Sequence, residues 1–212
     1  MLSSLQRDAL KEFMNVSFGQ AASLLSEMAG QKIKLTIPEI ELSHISLLGK
    51  KIEDEPFANI FKGHIVSSSL AFGNELKGKA QLVFPVKEGK ILVSLFMGDE
   101  IPLEDDGFMD FSDTDIDAMK EIGNIMLNTI VGSFANLLDK QIIYSLPEVE
   151  FFHYPDHQPK FPHETGHYIL LIRTTFSLVK TKIEGVVFVV LTMDSISILI
   201  KKIDEMLVEL YG

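Results

Sequence analysis

Two stretches of the chain carry the period of a long amphipathic helix, with apolar residues three and four positions apart. The first begins near Ser3, which together with Gln6 resembles a capping box, and ends at Gly30, a common residue just beyond a helix C-terminus. The second covers residues 114–139 and follows Ser112 in an acidic stretch, and both features favour a helix start. Each helix is predicted to bury one face and expose the other.

The predicted buried face of each helix is defined by its large apolar side chains. These are Leu10, Phe13, Met14, Ala21, Leu25 and Met28 in the first helix, and Met119, Ile122, Met126, Ile130, Phe134 and Leu137 in the second.

The segments after each helix alternate or run apolar in the manner of strands. Strands are predicted over 32–48 with an interruption at Pro38, over 60–72 and 77–85 joined at Gly73-Asn74, and over 142–152, 168–179 and 183–192 with a turn at Lys180–Lys182. The charged segment 47–59 is predicted to be a loop, and shorter helices are predicted over 89–97 and 194–210. The run from Ile183 to Leu191 is nearly all apolar, which is typical of a strand buried on both faces. The pattern therefore predicts an α+β fold.

Four polar or proline positions of the first half recur in the second half at one constant interval. Asp8, Glu12, Asn15 and Pro38 are each followed 109 positions later by Asp117, Glu121, Asn124 and Pro147. This indicates an internal duplication. We expect one domain over 1–212 with repeats at about 3–98 and 112–210, arranged with pseudo-twofold symmetry as a central, largely antiparallel sheet on which the long helices pack.

Within each copy, the three polar residues share one helical face. Asp117 and Glu121 lie four positions apart, and Glu121 and Asn124 lie three apart, so the Cβ atoms of neighbouring members are about 5–6 Å apart. This face is opposite the apolar one and should be exposed. For a single helix, a solvated surface would be the simpler interpretation. The duplication favours a functional site instead.

Composition narrows the classes of protein and partner. The chain has 212 residues, a net charge of −11 and no cysteine, so disulfides, thiolate nucleophiles and Cys-ligated zinc are excluded. No apolar run reaches about 18 residues and no signal-peptide pattern opens the chain, so a cytoplasmic protein without a membrane partner is expected. No basic cluster could follow a phosphate backbone, so nucleic acid is not an expected partner.

Two further patterns suggest metals. Asp113, Asp115 and Asp117 have the spacing of a calcium loop but lack the central glycine and distal glutamate of an EF-hand. Four histidines, at positions 153, 157, 163 and 167, form two His-x-x-x-His pairs that would need a helix to meet at a metal. Three prolines in the same segment oppose a helix, so no metal site is predicted and a surface loop is the default interpretation. No Gly-x-Ser-x-Gly elbow and no Gly-rich phosphate loop is present.

The duplicated motif resembles the active-site signature of the CheC phosphatases, a group that includes CheX and FliY. That signature is Asp/Ser-x-x-x-Glu-x-x-Asn followed, after 22 residues, by Pro, and both copies in this chain satisfy it. The resemblance covers nearly the whole chain. Two motifs in tandem are similar to CheC itself, because CheX carries one per chain. The additional motor-switch domain of FliY is not expected in these 212 residues.

The resemblance implies a phosphatase, a hydrolase acting on the aspartyl phosphate of a CheY-like response regulator in chemotaxis or two-component signalling. Asn15 and Asn124 would orient the attacking water, and Glu12 and Glu121 would anchor the receiver domain. The protein would need no cofactor of its own, because the receiver would supply Mg²⁺ and a lysine. A carboxamide suits the task because it is neutral and its oxygen can accept a hydrogen bond from water.

The remaining motif residues have simpler expected roles. Asp8 and Asp117 would stabilise a helix start or contact the rim of the substrate, and Pro38 and Pro147 would fix strand geometry. Met14 of the first copy replaces Gly123 of the second, which could alter either the approach of a receiver or the packing of the helix.

Two alternatives to this interpretation stay open. The chain could be a non-catalytic CheC-like module that docks a receiver or motility protein, or a metal-responsive regulator that uses the histidine segment. CheD is a possible partner by resemblance, although a Pro/His-rich segment replaces the short helix that would carry the contact. A monomer is expected, because the internal pair supplies what a symmetric dimer would.

Overall fold

The computed structural model describes residues 2–53, 57–101, 111–154, 156, 167–178 and 181–211. The helices are α1 (Ser4–Ala29), α2 (Leu48–Glu53), α3 (Val86–Met97), α4 (Asp113–Leu137) and α5 (Met193–Tyr211). The strands are β1 (Ile33–His44), β2 (Gly63–Asn74), β3 (Gly78–Pro85), β4 (Ile142–Tyr144), β5 (Glu148–Tyr154), β6 (His167–Leu178) and β7 (Thr181–Thr192). The predicted α+β class is confirmed.

All strand pairs within the described residues are antiparallel, and the sheet runs in the order β1-β6-β7-β3-β2-β4, with β5 also paired to β2. The strands of the two halves are therefore interleaved at both edges: β1 pairs with β6, and β5 pairs with β2. The central pair joins β3 to β7. The strand order is the same read from either end when each strand is replaced by its counterpart in the other half. This is consistent with the duplication, which itself stays a prediction from the sequence.

The sheet is covered on both faces. The larger core lies between one face and the four helices α1, α3, α4 and α5, and a smaller core on the other face includes Leu48 and Ile52 of α2 and the segment 57–61. Strand β7 contributes side chains to both cores, and Val186 to Val190 are fully buried. The predicted two-sided burial of this strand is confirmed.

Three local predictions need correction. The segment 47–59 is not simply a loop, because Leu48 and Ile52 lie four positions apart and both are buried, which supports the short helix α2. The predicted strand 142–152 is split into β4 and β5, with Pro147 directly before β5. Lys182 belongs to β7 and not to a turn, while residues 179–180 lie outside the described residues.

The predicted buried faces of the two long helices are correct for most of their residues, and the exceptions are Met28, Phe13 and Leu137. Met28 is 53 % exposed, because it lies in the last turn of α1, beyond Leu25, the last buried residue of the helix. Phe13 and Leu137 are half-buried and pack against the edge of the core. The rings of Phe13 and Phe134 lie 5.9 Å apart, which joins α1 to α4.

Candidate functional site

The first copy of the motif lies on the exposed side of α1. Ser3 and Gln6 form the predicted capping box, and the Gln6 carboxamide also donates to Asp204 of α5 at 2.7 Å, so the start of α1 is held against the C-terminal helix. Asp8, Glu12 and Asn15 are all exposed. Within the described part of the chain no hydrogen bond or ion pair engages Glu12 or Asn15, so both heads are available to a partner.

The second copy lies on α4 and is less open. Asp117 is exposed and pairs with Lys120 at 2.9 Å, while Glu121 and Asn124 are half-buried. The Asn124 oxygen accepts a hydrogen bond of 2.6 Å from the side-chain amide of Asn128. Asn128 was not among the residues predicted from the sequence, because the position 109 residues earlier is Gly19 and a search for repeats keeps only what both halves share.

The start of α4 is fixed by a charged capping box. Asp115 accepts from the backbone N–H and hydroxyl of Ser112, and it pairs with Lys90 of α3. Burial raises the pKa of Asp115, but the hydrogen bonds from Lys90 and Ser112 outweigh it, so the net effect holds the pKa of this carboxyl below its usual value. The predicted helix start at Ser112 is confirmed.

We expect Asp115→Ala to lower the free energy of unfolding by about 2 kcal/mol at pH 7, since it removes one half of the capping box and a charged hydrogen bond to Lys90. Because the pKa of Asp115 is lowered on folding, its contribution is fully present above the unfolded pKa of about 4 and is lost as the pH falls through the folded pKa. Urea unfolding from pH 7 to pH 3 should therefore show the two proteins converging. A constant difference would contradict this role.

The residue before each motif asparagine faces the sheet and not the surface that a receiver would approach. Met14 is fully buried, and a Cβ atom at Gly123 would lie 2.0 Å from the Ser68 hydroxyl oxygen on β2. The difference between the two copies therefore changes how each helix packs on the sheet. Of the two roles considered for Met14, the structure assigns it to helix packing.

Both motif prolines lie where strand pairing is irregular. Pro38 falls in the register shift of β1 between Thr36 and Glu39, and Pro147 separates β4 from β5. A proline cannot donate to a ladder, so it is tolerated at such interruptions. These positions therefore give no support for a direct catalytic role of either proline.

Two of the four histidines of the segment 153–167, His153 and His167, are among the described residues. His153 lies in β5 opposite His64 of β2, with the two rings 4.8 Å apart, and it contacts Asp156 at 2.9 Å. His167 begins β6, whereas His157 and His163 lie outside the described residues. No group of three or more potential metal ligands occurs among the residues that the structure describes. In the same part of the chain, no helix is long and apolar enough to cross a membrane.

Solved structures define the class of fold. FliY from Thermotoga maritima superposes with a TM-score of 0.72 at 22 % identity, over 97 % of this chain and 96 % of that one. FliM in its SpeE complex from H. pylori gives 0.66 at 8 % identity, over 97 % of both chains. CheX from Desulfovibrio desulfuricans gives 0.55 at 16 % identity, over 85 % of this chain and 99 % of that one. The chain has the CheC/FliM type of fold.

Sequence comparison finds related phosphatases. The CheC-like family matches residues 5–42, which include the first Asp-Glu-Asn-Pro motif. The flagellar motor switch phosphatase FliY of Bacillus subtilis is 26 % identical over 149 residues, covering 70 % of this chain and 36 % of FliY. The CheY-P phosphatase CheC of the same species is 26 % identical over 147 residues, covering 68 % of this chain and 65 % of CheC. The aligned part thus spans roughly a third of FliY and two thirds of CheC. The predicted resemblance is confirmed: the chain is homologous to the FliY and CheC phosphatases.

Proposed function

We propose that this protein is a phosphatase that hydrolyses the aspartyl phosphate of a CheY-like receiver domain. The observation that carries the proposal is the display of a Glu-Asn pair on the outer side of each of two long helices, α1 and α4, whose opposite sides are anchored in one core. The homology to CheC and FliY, both named as phosphatases, supports the same activity.

The reaction needs little covalent chemistry from this chain. A water oxygen attacks phosphorus, the bond between phosphorus and the aspartyl oxygen breaks, and the receiver's carboxylate leaves as inorganic phosphate forms. An acyl phosphate is already activated, and the receiver would hold Mg²⁺ and a lysine at the phosphoryl group. The main contribution left for this chain is then to position the water in line with the phosphorus–oxygen bond that breaks.

Asn15 and Asn124 are the residues proposed to position the water. Each side-chain oxygen accepts a hydrogen bond from water, and the neutral amide adds no repulsion against the phosphoryl oxygens. Asn15 is exposed and has no partner in the described structure, so a receiver can approach it directly. Val16, which follows it, is 63 % exposed and offers an apolar contact that an interface would bury.

Glu12 and Glu121 are proposed to anchor the receiver through its active-site lysine, with Asp8 and Asp117 at the rim. We expect Glu12→Gln with Glu121→Gln to raise KM about tenfold and to change kcat less than threefold, because the ion pair orients and holds the complex. The salt dependence of kcat/KM should also flatten. Phosphate release at several receiver concentrations measures both constants. Glu27→Gln, at an exposed site near the end of α1, is the matched control. A loss in kcat alone would contradict an anchoring role.

A non-catalytic docking module is the second candidate. What favours it is the shared fold with FliM, which occurs in solved complexes with FliG and with SpeE. The two functions differ in stoichiometry. A phosphatase present at a small fraction of the receiver clears all of the phosphorylated form, whereas a docking module changes decay only for the fraction it binds.

A further inference from the structure

We propose that Asn128 is a positioning residue that orients the Asn124 carboxamide, and that its absence from the first copy makes the two sites unequal. This rests on the proposed function and deepens it. The second site would be pre-oriented and have the higher kcat, while the first would have to order Asn15 on each encounter with a receiver.

The geometry of the pair is specific. Asn124 and Asn128 are one helical turn apart on α4, and the Asn128 amide nitrogen lies 2.6 Å from the Asn124 oxygen. The other end of Asn128 is enclosed: its side-chain oxygen is buried without a hydrogen-bond partner among the described residues. In this arrangement the Asn128 amide donates to Asn124, and no donor among the described residues competes for its enclosed oxygen.

The surroundings of Asn128 come from β4. The Tyr144 hydroxyl donates to the Asn128 backbone carbonyl at 3.4 Å, and Gly132 provides space for that hydroxyl, because a Cβ atom there would lie 3.0 Å from it. Burial raises the pKa of Tyr144, so the hydroxyl stays protonated and remains a donor across the physiological range. Tyr144 of β4 thus contacts the turn of α4 that carries Asn128.

The consequence for the chemistry follows from the two lone pairs of an amide oxygen. Asn128 occupies one lone pair of the Asn124 oxygen and leaves the other for a water. The hydrogen bond also fixes the terminal torsion of Asn124, which is otherwise broad for asparagine. A water-positioning group that is already oriented loses less entropy when the transition state forms.

The first site has no counterpart to this contact. Gly19 occupies the position four residues after Asn15, and open space surrounds it, since a Cβ atom there would meet nothing within 4 Å. An asparagine would fit at Gly19 and would reach Asn15 in the same i,i+4 relation. The same contact can therefore be removed from the second site by replacing Asn128 and introduced into the first site by replacing Gly19.

The kinetic test isolates one site at a time. In an Asn15→Ala background, Asn128→Ala should lower kcat for receiver-phosphate hydrolysis about three- to tenfold, the effect of one hydrogen bond, with KM within twofold. Asn128→Asp has the same shape but cannot donate, and it should lower kcat at least as far. Asn136→Ala, an exposed asparagine on the same helix, should leave kcat unchanged. In an Asn124→Ala background, Gly19→Asn should raise kcat by a similar factor.

A second readout does not depend on turnover. In the wild-type protein, the side-chain NH₂ of Asn124 should have a high NMR order parameter and that of Asn15 a value below about 0.6. Asn128→Ala should lower the Asn124 value to that of Asn15. Equal mobility of the two amides in the wild type, or an unchanged kcat in both Asn128 variants, would overturn the proposal. Absence of turnover in the wild type would instead refute the phosphatase, while the order parameters would still decide whether Asn128 orients Asn124.

Discussion

Replacement of both Asn15 and Asn124 by alanine is expected to lower receiver-phosphate turnover at least about 100-fold, while the affinity for the receiver changes less than about threefold. The alanines remove the only group that the account assigns to the attacking water, and misplacement of a reacting group costs about this much. The glutamates, the helix faces and the fold stay in place, so docking should persist. Phosphate release gives turnover, and titration with a fluoroberyllate-loaded receiver gives affinity.

The single variants make this experiment specific. Asn15→Ala and Asn124→Ala should each retain the turnover of the other site, and only the double variant should be inactive. Asn136→Ala serves as the control for loss of an asparagine from α4 without loss of the motif. If the double variant turns over at the wild-type rate, the catalytic assignment of both asparagines is wrong.

Gly123→Ala should destabilise the protein by about 2 kcal/mol, because the added methyl group has no space. Its Cβ atom would lie 2.0 Å from the Ser68 hydroxyl oxygen and 2.5 Å from the Ser68 Cβ atom, and Ser68 is fully buried on β2. Rotation of the hydroxyl cannot relieve the second overlap, so α4 must move away from the sheet. Overpacking of this kind costs about 1–3 kcal/mol, more than alanine gains by helix propensity. Urea unfolding monitored by circular dichroism measures the change.

Gly19→Ala is the matched control for this prediction. It makes the same change on α1, where the new methyl group meets nothing, and it should stabilise the protein by about 0.5–1 kcal/mol. Ser68→Gly removes both overlapping atoms and should restore most of the stability lost in Gly123→Ala. If Gly123→Ala is as stable as the wild type, α4 does not approach β2 as closely as the structure shows.

The regular elements were the most predictable part of the fold. The bounds of α1 and α4 follow from caps that the sequence displays, Ser3 and Ser112 at the starts and Gly30 at the end of α1. The double burial of β7 follows from its nearly continuous apolar run. The division of β4 from β5 was harder because it depends on how each segment pairs with β2, and the existence of α2 was harder because it depends on the smaller core. Strand order also depends on long-range pairing, which a hydrophobic pattern does not encode.

The candidate site was predictable only where the two halves agree. Glu12, Asn15, Glu121 and Asn124 were found because they recur at one interval, and their catalytic roles stay predictions. Two residues that distinguish the sites interrupt the repeat: Gly123 was noted as a departure with two open consequences, and Asn128 was not predicted as part of a site. Their roles depend on which side of the helix meets the sheet and on distances to Ser68 and Tyr144, and these require coordinates.

Phosphate decay from a loaded receiver tests the central claim most directly. A CheY-like receiver from the same organism is phosphorylated with acetyl phosphate, freed of the excess, and mixed with the protein at one fiftieth of its concentration. The account predicts complete release of phosphate well before the receiver's own decay, with tens of turnovers per molecule, and no acceleration by the Asn15→Ala, Asn124→Ala double variant. An unchanged decay despite saturable binding of that receiver would contradict the phosphatase and leave the docking module.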